Sequence, residues 1–242
     1  MEFYDTFDQN GVFQSAEDEH DVHYKGLWHK IIRSWLYDNN GNIYLRVRAE
    51  GNKADCLNEV HLLSQESVIN CFDRGMYEKL GIHFPATSNV EQVSLKKVKI
   101  HKVYTDDSEL RENYFLCDYI GEFENDATFF IFNPDTTGLI KANAKGILNL
   151  LNTRTGEIIA YKVSPNEEGE KIFLTIDDIY ENSDEDTYEK YNPILNAIIK
   201  YADIRKKELI EEEKMQRIVK KHQESEEEFV SHADDNDGSI LY

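Results

Sequence analysis

Residues 31 to 48 commit this chain to a β-sheet. Ile31-Ile32-Arg33-Ser34-Trp35-Leu36-Tyr37 and Ile43-Tyr44-Leu45-Arg46-Val47-Arg48 are dominated by β-branched and aromatic residues, and Asp38-Asn39-Asn40-Gly41-Asn42 between them is a tight-turn sequence. Strand, turn, strand is the reading. The N-terminus repeats it, with Phe3-Tyr4-Asp5 and Val12-Phe13 around Asp8-Gln9-Asn10-Gly11, an Asn-Gly hairpin signal. Val93 to Val103, Tyr114 to Phe123 and Ile158 to Val163 read as further strands.

Helical spacing takes over elsewhere. Ile69, Phe72, Met76 and Leu80 recur on one helix face, and Gly81 ends the pattern as a C-terminal cap. Gly138 to Leu151 reads as a second helix and Asn192 to about His222 as a last one. With no internal repeat, the class is α+β around one mixed sheet. The expected organisation is a hairpin over residues 1–24, a main domain over 25–204, a charged helical extension over 205–223 and a disordered acidic tail over 224–242.

Twenty-seven Lys+Arg against 47 Asp+Glu leave a formal charge of −20, which repels phosphate backbones and anionic lipid. A nucleic-acid coat and a membrane-surface role are thereby disfavoured, and no apolar run reaches the roughly 18 residues of a membrane span. The opening residues are acidic and lack the basic start of a signal peptide. Cys56, Cys71 and Cys117 show no CxxC spacing and read as free thiols, so a cytoplasmic setting is expected. Residues 205–242 hold seven basic and eleven acidic residues, a balance of −4, so −16 belongs to the body of the chain.

One helix carries the strongest chemical signal. Glu66, Asn70, Arg74 and Glu78 fall at successive i+4 steps and share a face, opposite the apolar stripe of Ile69, Phe72 and Met76. By itself this is a solvated face in which Arg74 pairs with Glu78, or a carboxylate row that holds a hard divalent cation against a diphosphate. The segment Val60 to Ile82 resembles the Nudix box, Gly-x5-Glu-x7-Arg-Glu-U-x-Glu-Glu-x-Gly-U, where U is a bulky aliphatic residue. Here the same spacing reads Val60, Glu66, then Arg74-Gly75-Met76-Tyr77-Glu78-Lys79-Leu80-Gly81-Ile82.

The flanks are similar to the isopentenyl-diphosphate-isomerase-like branch of that superfamily. They are His23-Tyr24-Lys25-Gly26-Leu27-Trp28-His29 after a hairpin, Arg48-Ala49-Glu50-Gly51-Asn52-Lys53 before the box, His61 one residue past its start, and Asp135-Thr136-Thr137-Gly138-Leu139-Ile140-Lys141 after it. The resemblance spans roughly residues 1 to 200 and implies an α/β/α sandwich with a mixed sheet. It implies Mg²⁺ or Mn²⁺ on Glu66, Glu78 and Asp135, with Glu66 and Glu78 catalytic and Arg48 and Lys53 on the phosphates of a small ligand. It also puts Arg74 in a structural pair.

Three departures change the box. Gly75 and Lys79 stand where the pattern has glutamates, and Val60 stands for its leading glycine. A lysine in place of a carboxylate opposes cation binding. The Cys that isomerase chemistry uses just before the box is replaced by Asn58-Glu59, with Cys56 out of register. Two functions therefore stand side by side: a Nudix hydrolase of a diphosphate-containing small molecule, and a non-catalytic Nudix-fold module for ligand sensing or protein interaction. Lys97, Lys99 and His101 share one strand face, which suits an anion or a solubilising edge. His20 and His23 read as surface residues, and His29 as bonded to a neighbouring loop. A homodimer through the N-terminal hairpin edges is a further expectation.

Overall fold

The computed structural model describes residues 2–84, 90–103, 109–123, 134–163, 169–179 and 184–234. In chain order the elements are β1 (Phe3–Phe7), β2 (Phe13–Asp18), α1 (Glu19–Lys25), β3 (Trp28–Tyr37), β4 (Asn42–Arg48), β5 (Ala54–Asp55) and β6 (Asn58–His61). There follow α2 (Val68–Leu80), β7 (Val90–Val103), β8 (Glu109–Glu122), β9 (Thr136–Asn143), α3 (Ala144–Thr153), β10 (Ile158–Lys162), β11 (Lys171–Leu174) and α4 (Asp184–Asp234).

Both early turns form through one device. Asp8 accepts the amides of Asn10 and Val12, and Asp38 accepts those of Asn40 and Asn42, so each carboxylate closes its own loop. The strands join in one mixed sheet in which β3 is the hub. Along one edge it runs parallel to β8 over ten residue pairs, from Trp28↔Asn113 to Tyr37↔Glu122. The other edge is shared by three segments in turn: β1 at Trp28, β6 at Ile31 to Ser34 and β4 at Leu36 and Tyr37.

Alternation along the strands divides the core. Trp35, Ile43 and Leu45 face α3 and α4 and pack with Ile147, Leu151, Tyr191, Ile194, Leu195 and Ile198. Leu36, Tyr44 and Leu57 face the other way onto Phe72, Met76 and Leu80 of α2. Each such buried side chain contributes about 1.5–3 kcal/mol relative to exposure. Cys56, Cys71 and Cys117 are free and buried.

Two elements differ from the sequence reading. Gly138 to Asn143 is strand rather than helix, because Leu45↔Ile140 and Val47↔Gly138 pair with β4 and because Asn143 caps α3 by accepting the Lys145 and Gly146 amides. Helix α4 begins at Asp184 and runs to Asp234, so residues 224–234 are helical where composition pointed to disorder. Ion pairs Arg205–Glu208, Lys214–Glu211 and Arg217–Glu213, three or four residues apart, line the same helix upstream. The remainder of the expected tail, residues 235–242, lies outside the described residues. Among the described residues no helix is long and apolar enough to cross a membrane.

One polar network lies within the sheet. Asp118 of β8, fully buried, accepts from the Arg33 guanidinium through Nε and Nη2, from the Trp35 indole at 2.8 Å and from the Ser94 hydroxyl. It ties β3, β8 and β7 together with each of its lone pairs directed. Asp118→Ala leaves the buried Arg33 charge with only the half-exposed Glu59 carboxylate at 3.5 Å and should cost about 3 kcal/mol of unfolding free energy, measured by urea denaturation.

Candidate functional site

Helix α2 is set by its caps. The Ser67 hydroxyl accepts the Asn70 amide at its start, and Gly81 ends it at φ 66° with its N–H on the Tyr77 carbonyl. Within this frame Glu66 does not face solvent for a cation. It accepts from Arg74 Nε and Nη2, both at 2.9 Å, and from the Leu63 amide at 3.1 Å, while Arg74 Nη2 also donates to the His61 carbonyl at 2.8 Å. Burial pushes the Glu66 carboxyl up, but the Arg74 hydrogen bond, the Leu63 amide and the Arg74 charge outweigh it and hold the group below its ordinary value. The structure thus makes Arg74 a structural partner, joined mainly to Glu66, with Glu78 exposed and 3.7 Å from Arg74 Nη1.

At Gly75 the helix rests directly on β6. A Cβ there would stand 2.8 Å from Asn58 Nδ2 and 3.0 Å from Val60 Cγ2, both residues being buried. The glutamate of the box pattern has no room at this position while α2 keeps this seat. Lys79 is half-buried in the last turn.

The remaining sequence candidates lie apart from a shared cation site. Asp135 is exposed in the turn before β9, and its carbonyl accepts the Ala49 amide at 2.9 Å. Arg48 donates to Asp55 Oδ2 at 3.1 Å, and Asp55, 3% exposed at its side chain, also meets Arg46 Nη2 at 3.6 Å and Lys190 Nζ at 2.5 Å. Arg48 is therefore one of three cations around a buried carboxylate. Lys53 sits half-buried after the β4 turn, its carbonyl accepting the Arg48 amide. Among the described residues, Glu66, Glu78 and Asp135 do not form a group whose ligand atoms approach within 4.8 Å.

Histidines do form such a group. His23 on α1, His29 on β3 and His61 at the end of β6 bring one ring nitrogen each to within 4.8 Å of the others. The ring centroids are 5.0–5.2 Å apart. Antiparallel pairing of Ile31 with His61 sets the β3–β6 side, and α1 ends at Gly26, φ 62°, which turns the chain from His23 into β3. An added Cβ at Gly26 would meet Arg111 Cβ at 2.9 Å, so the turn is tight as well as left-handed.

The ring chemistry is constrained. His29 Nδ1 lies 3.0 Å from the Leu27 carbonyl, which can only accept, so Nδ1 carries the proton and Nε2 the lone pair. That Nε2 is buried without a hydrogen-bond partner, and so is His23 Nδ1, which stands 3.5 Å from Glu112 Oε1 outside hydrogen-bond geometry. Tyr4 of β1, 1% exposed, stacks on His61 at 4.7 Å and closes the group from above. Burial first, then for His29 the charge of His23 and for His61 those of His29 and His23, push both imidazoles down to about 4.

His23 is therefore part of a partly buried cluster rather than a surface residue, while His20 is exposed. Linear spacing hid the group, because its three members come from a helix and two strands that meet only when β6 takes its share of the β3 edge.

No protein family and no curated protein matches this chain in sequence. Among solved structures it is similar to a protein from Deinococcus radiodurans at 14% identity and TM-score 0.43, over 63% of this chain and 89% of that one. A mutator MutT protein from Bacillus halodurans follows at 12% and 0.38, over 50% and 71%. A MutT protein from Methanosarcina mazei stands at 12% and 0.37, over 50% and 81%. Each of these likenesses is partial.

Two outcomes test this geometry. Gly75→Ala should cost about 1–3 kcal/mol in urea denaturation, because neither Asn58 nor Val60 can retreat freely. His29 and His61 titrate near 6.5 when unfolded and near 4 when folded, so the unfolded chain takes up the protons first. Stability is then full above pH 6.5 and falls as pH drops from about 6.5 toward about 4, and His61→Asn should flatten part of that slope in urea titrations.

Proposed function

We propose that this chain is a Nudix-fold metalloprotein whose working ion sits on His23, His29 and His61 and not on the carboxylates of the box helix. The observation that carries the reading is the convergence of three imidazoles with two buried ring nitrogens that make no hydrogen bond, His29 Nε2 and His23 Nδ1, the latter 3.5 Å from Glu112. Buried polar atoms are almost always satisfied, so such orphans suit a ligand-shaped gap. Neutral imidazole favours zinc and related transition ions, whereas Mg²⁺ prefers oxygen donors. The donor set therefore fits Zn²⁺, Co²⁺ or Ni²⁺ better than the Mg²⁺ or Mn²⁺ implied by the box resemblance.

Three protein ligands leave a coordination position open, and an ion held that way acts as a Lewis acid or lowers the pKa of bound water. The chain's own residues do the rest. The Leu27 carbonyl fixes the His29 tautomer and aims Nε2 inward. Glu112, close to His23 and only partly buried, offers a carboxylate on the rim that can take or return a proton. Tyr4 covers one side and limits water.

The ligand class that follows is a small molecule with an oxygen donor. For Mg²⁺-dependent diphosphate hydrolysis, the other reading, Glu78 is the exposed carboxylate of the box, with Asp135, Arg48 and Lys53 as its proposed helpers. The pairing of Glu66 with Arg74 and the tight seat of Gly75 weigh against it.

Metal content and the visible absorption of a cobalt-loaded sample decide between them. The chain should take up about one equivalent of Zn²⁺ or Co²⁺, lose it in His29→Ala and His61→Ala, and keep it in His20→Ala. Uptake untouched by His29→Ala, or metal-dependent release of phosphate from a nucleoside- or prenyl-diphosphate panel that vanishes in Glu78→Gln, would overturn the histidine reading.

A further inference from the structure

From Arg205 onward α4 alternates its charge in blocks. Arg205, Lys206 and Lys207 are followed by Glu208, Glu211, Glu212 and Glu213, then by Lys214, Arg217, Lys220 and Lys221, then by Glu224, Glu226, Glu227 and Glu228. The backbone is one helix through all four blocks. The N-terminal part is anchored, with Tyr191, Ile194, Leu195 and Ile198 fully buried in the core. Beyond it, Ile204, Met215, Ile218 and Val219 are 41–60% exposed. At about 100° per residue these four fall within an arc of about 100° and form one stripe, with Leu209 and Ile210, 41% and 44% exposed, outside it.

A helix that is polar all round can stand alone on its own ion pairs, but this one also leaves aliphatic side chains in water. The sign pattern says what could cover them. Read forward the blocks are plus, minus, plus, minus; read backward they are minus, plus, minus, plus. A parallel copy in register would set like charge on like charge in all four blocks. An antiparallel copy sets opposite charge on opposite charge in all four, with the midpoint close to Lys214 and Met215.

We infer that the free part of α4 is a self-association surface that pairs antiparallel with the same helix of a second copy of this chain. Centred on Met215, the overlap of residues 205–225 would be about 32 Å long at 1.5 Å per residue. Met215, Ile218 and Val219 near the midpoint supply the contact, Ile204 standing just outside the overlap, and the blocks supply orientation and register, as flanking charges do in paired helices. Glu208 and Glu211 lie on the same face as the stripe, so association is modest in strength and sensitive to salt. This surface is remote in sequence from the N-terminal hairpin and independent of the metal reading.

Charge-reversal variants of the full chain test it, with mass measured by sedimentation across a concentration series. The unaltered chain should form a dimer whose dissociation constant rises at least ~10-fold between ~0.05 and ~0.5 M salt. Reversing the first acidic block (Glu211→Lys, Glu212→Lys, Glu213→Lys) makes the blocks plus, plus, plus, minus apart from Glu208. Reversing the second basic block (Lys214→Glu, Arg217→Glu, Lys220→Glu, Lys221→Glu) makes them plus, minus, minus, minus.

Each variant alone should be monomeric, and an equal mixture should dimerise again, since the two patterns complement each other only when antiparallel. That rescue also shows that both variants are folded. Orientation is read by oxidation of single-cysteine variants, the native thiols being buried. Met215→Cys, near the midpoint, should cross-link, whereas Ile204→Cys should not, its two copies standing about 30 Å apart. A chain that is monomeric at every concentration, a dimer indifferent to both reversals, or equal cross-linking at both positions would overturn the inference.

Discussion

Strand β3 is held by backbone hydrogen bonds along both edges, and this double pairing organises the rest of the molecule. The parallel partner β8 occupies one edge for ten residues, which leaves the other to be divided among β1, β6 and β4. Segments far apart in sequence are thereby laid end to end on one line. Alternation along β3 then sends Trp35 to the face of α3 and α4, and Leu36 to the face of α2. The buried Arg33–Asp118 pair joins the strand to its parallel neighbour by side chains as well as backbone, which resists a slip in register.

That arrangement places the box helix and the histidines next to each other, with Arg74 donating both to Glu66 and to the His61 carbonyl. Helix α2 rests on its caps, its apolar stripe and the Glu66–Arg74 clamp on the His61 carbonyl. All of these are packing requirements. Of the box carboxylates Glu66 is engaged by Arg74 and Glu78 stays exposed, and Gly75 lets α2 sit closer to Asn58 and Val60 than an added Cβ would allow without a shift. The same clamp steadies the segment that carries His61. The helix that resembles the box thus also braces the strand end on which His61 stands.

Charge is distributed with similar economy. Buried Asp55 is surrounded by Arg46, Arg48 and Lys190, which consumes basic residues of a strongly acidic chain in holding β4, β5 and α4 together. On α4 the charges come in blocks, and local pairs such as Lys214–Glu211 and Arg217–Glu213 support a long helix.

The amino-acid sequence by itself determined the local elements. The hairpin turns at Asp8 and Asp38 and the span of α2 up to Gly81 follow from short-range chemistry: side-chain capping, β-branching and apolar period. The strand from Gly138 was misread, since a neighbouring strand decided it, and the α4 backbone stays helical to Asp234 where composition pointed to disorder. Tertiary structure alone decided the candidate site. Glu66 was open to a cation in sequence and closed by Arg74 in space, and Arg48 was open to phosphate and paired with Asp55. His23, His29 and His61 became a group only through the shared edge of β3. The reason is physical: local chemistry fixes dihedral angles and faces, whereas ligand geometry depends on which distant segments compete for the same backbone hydrogen bonds.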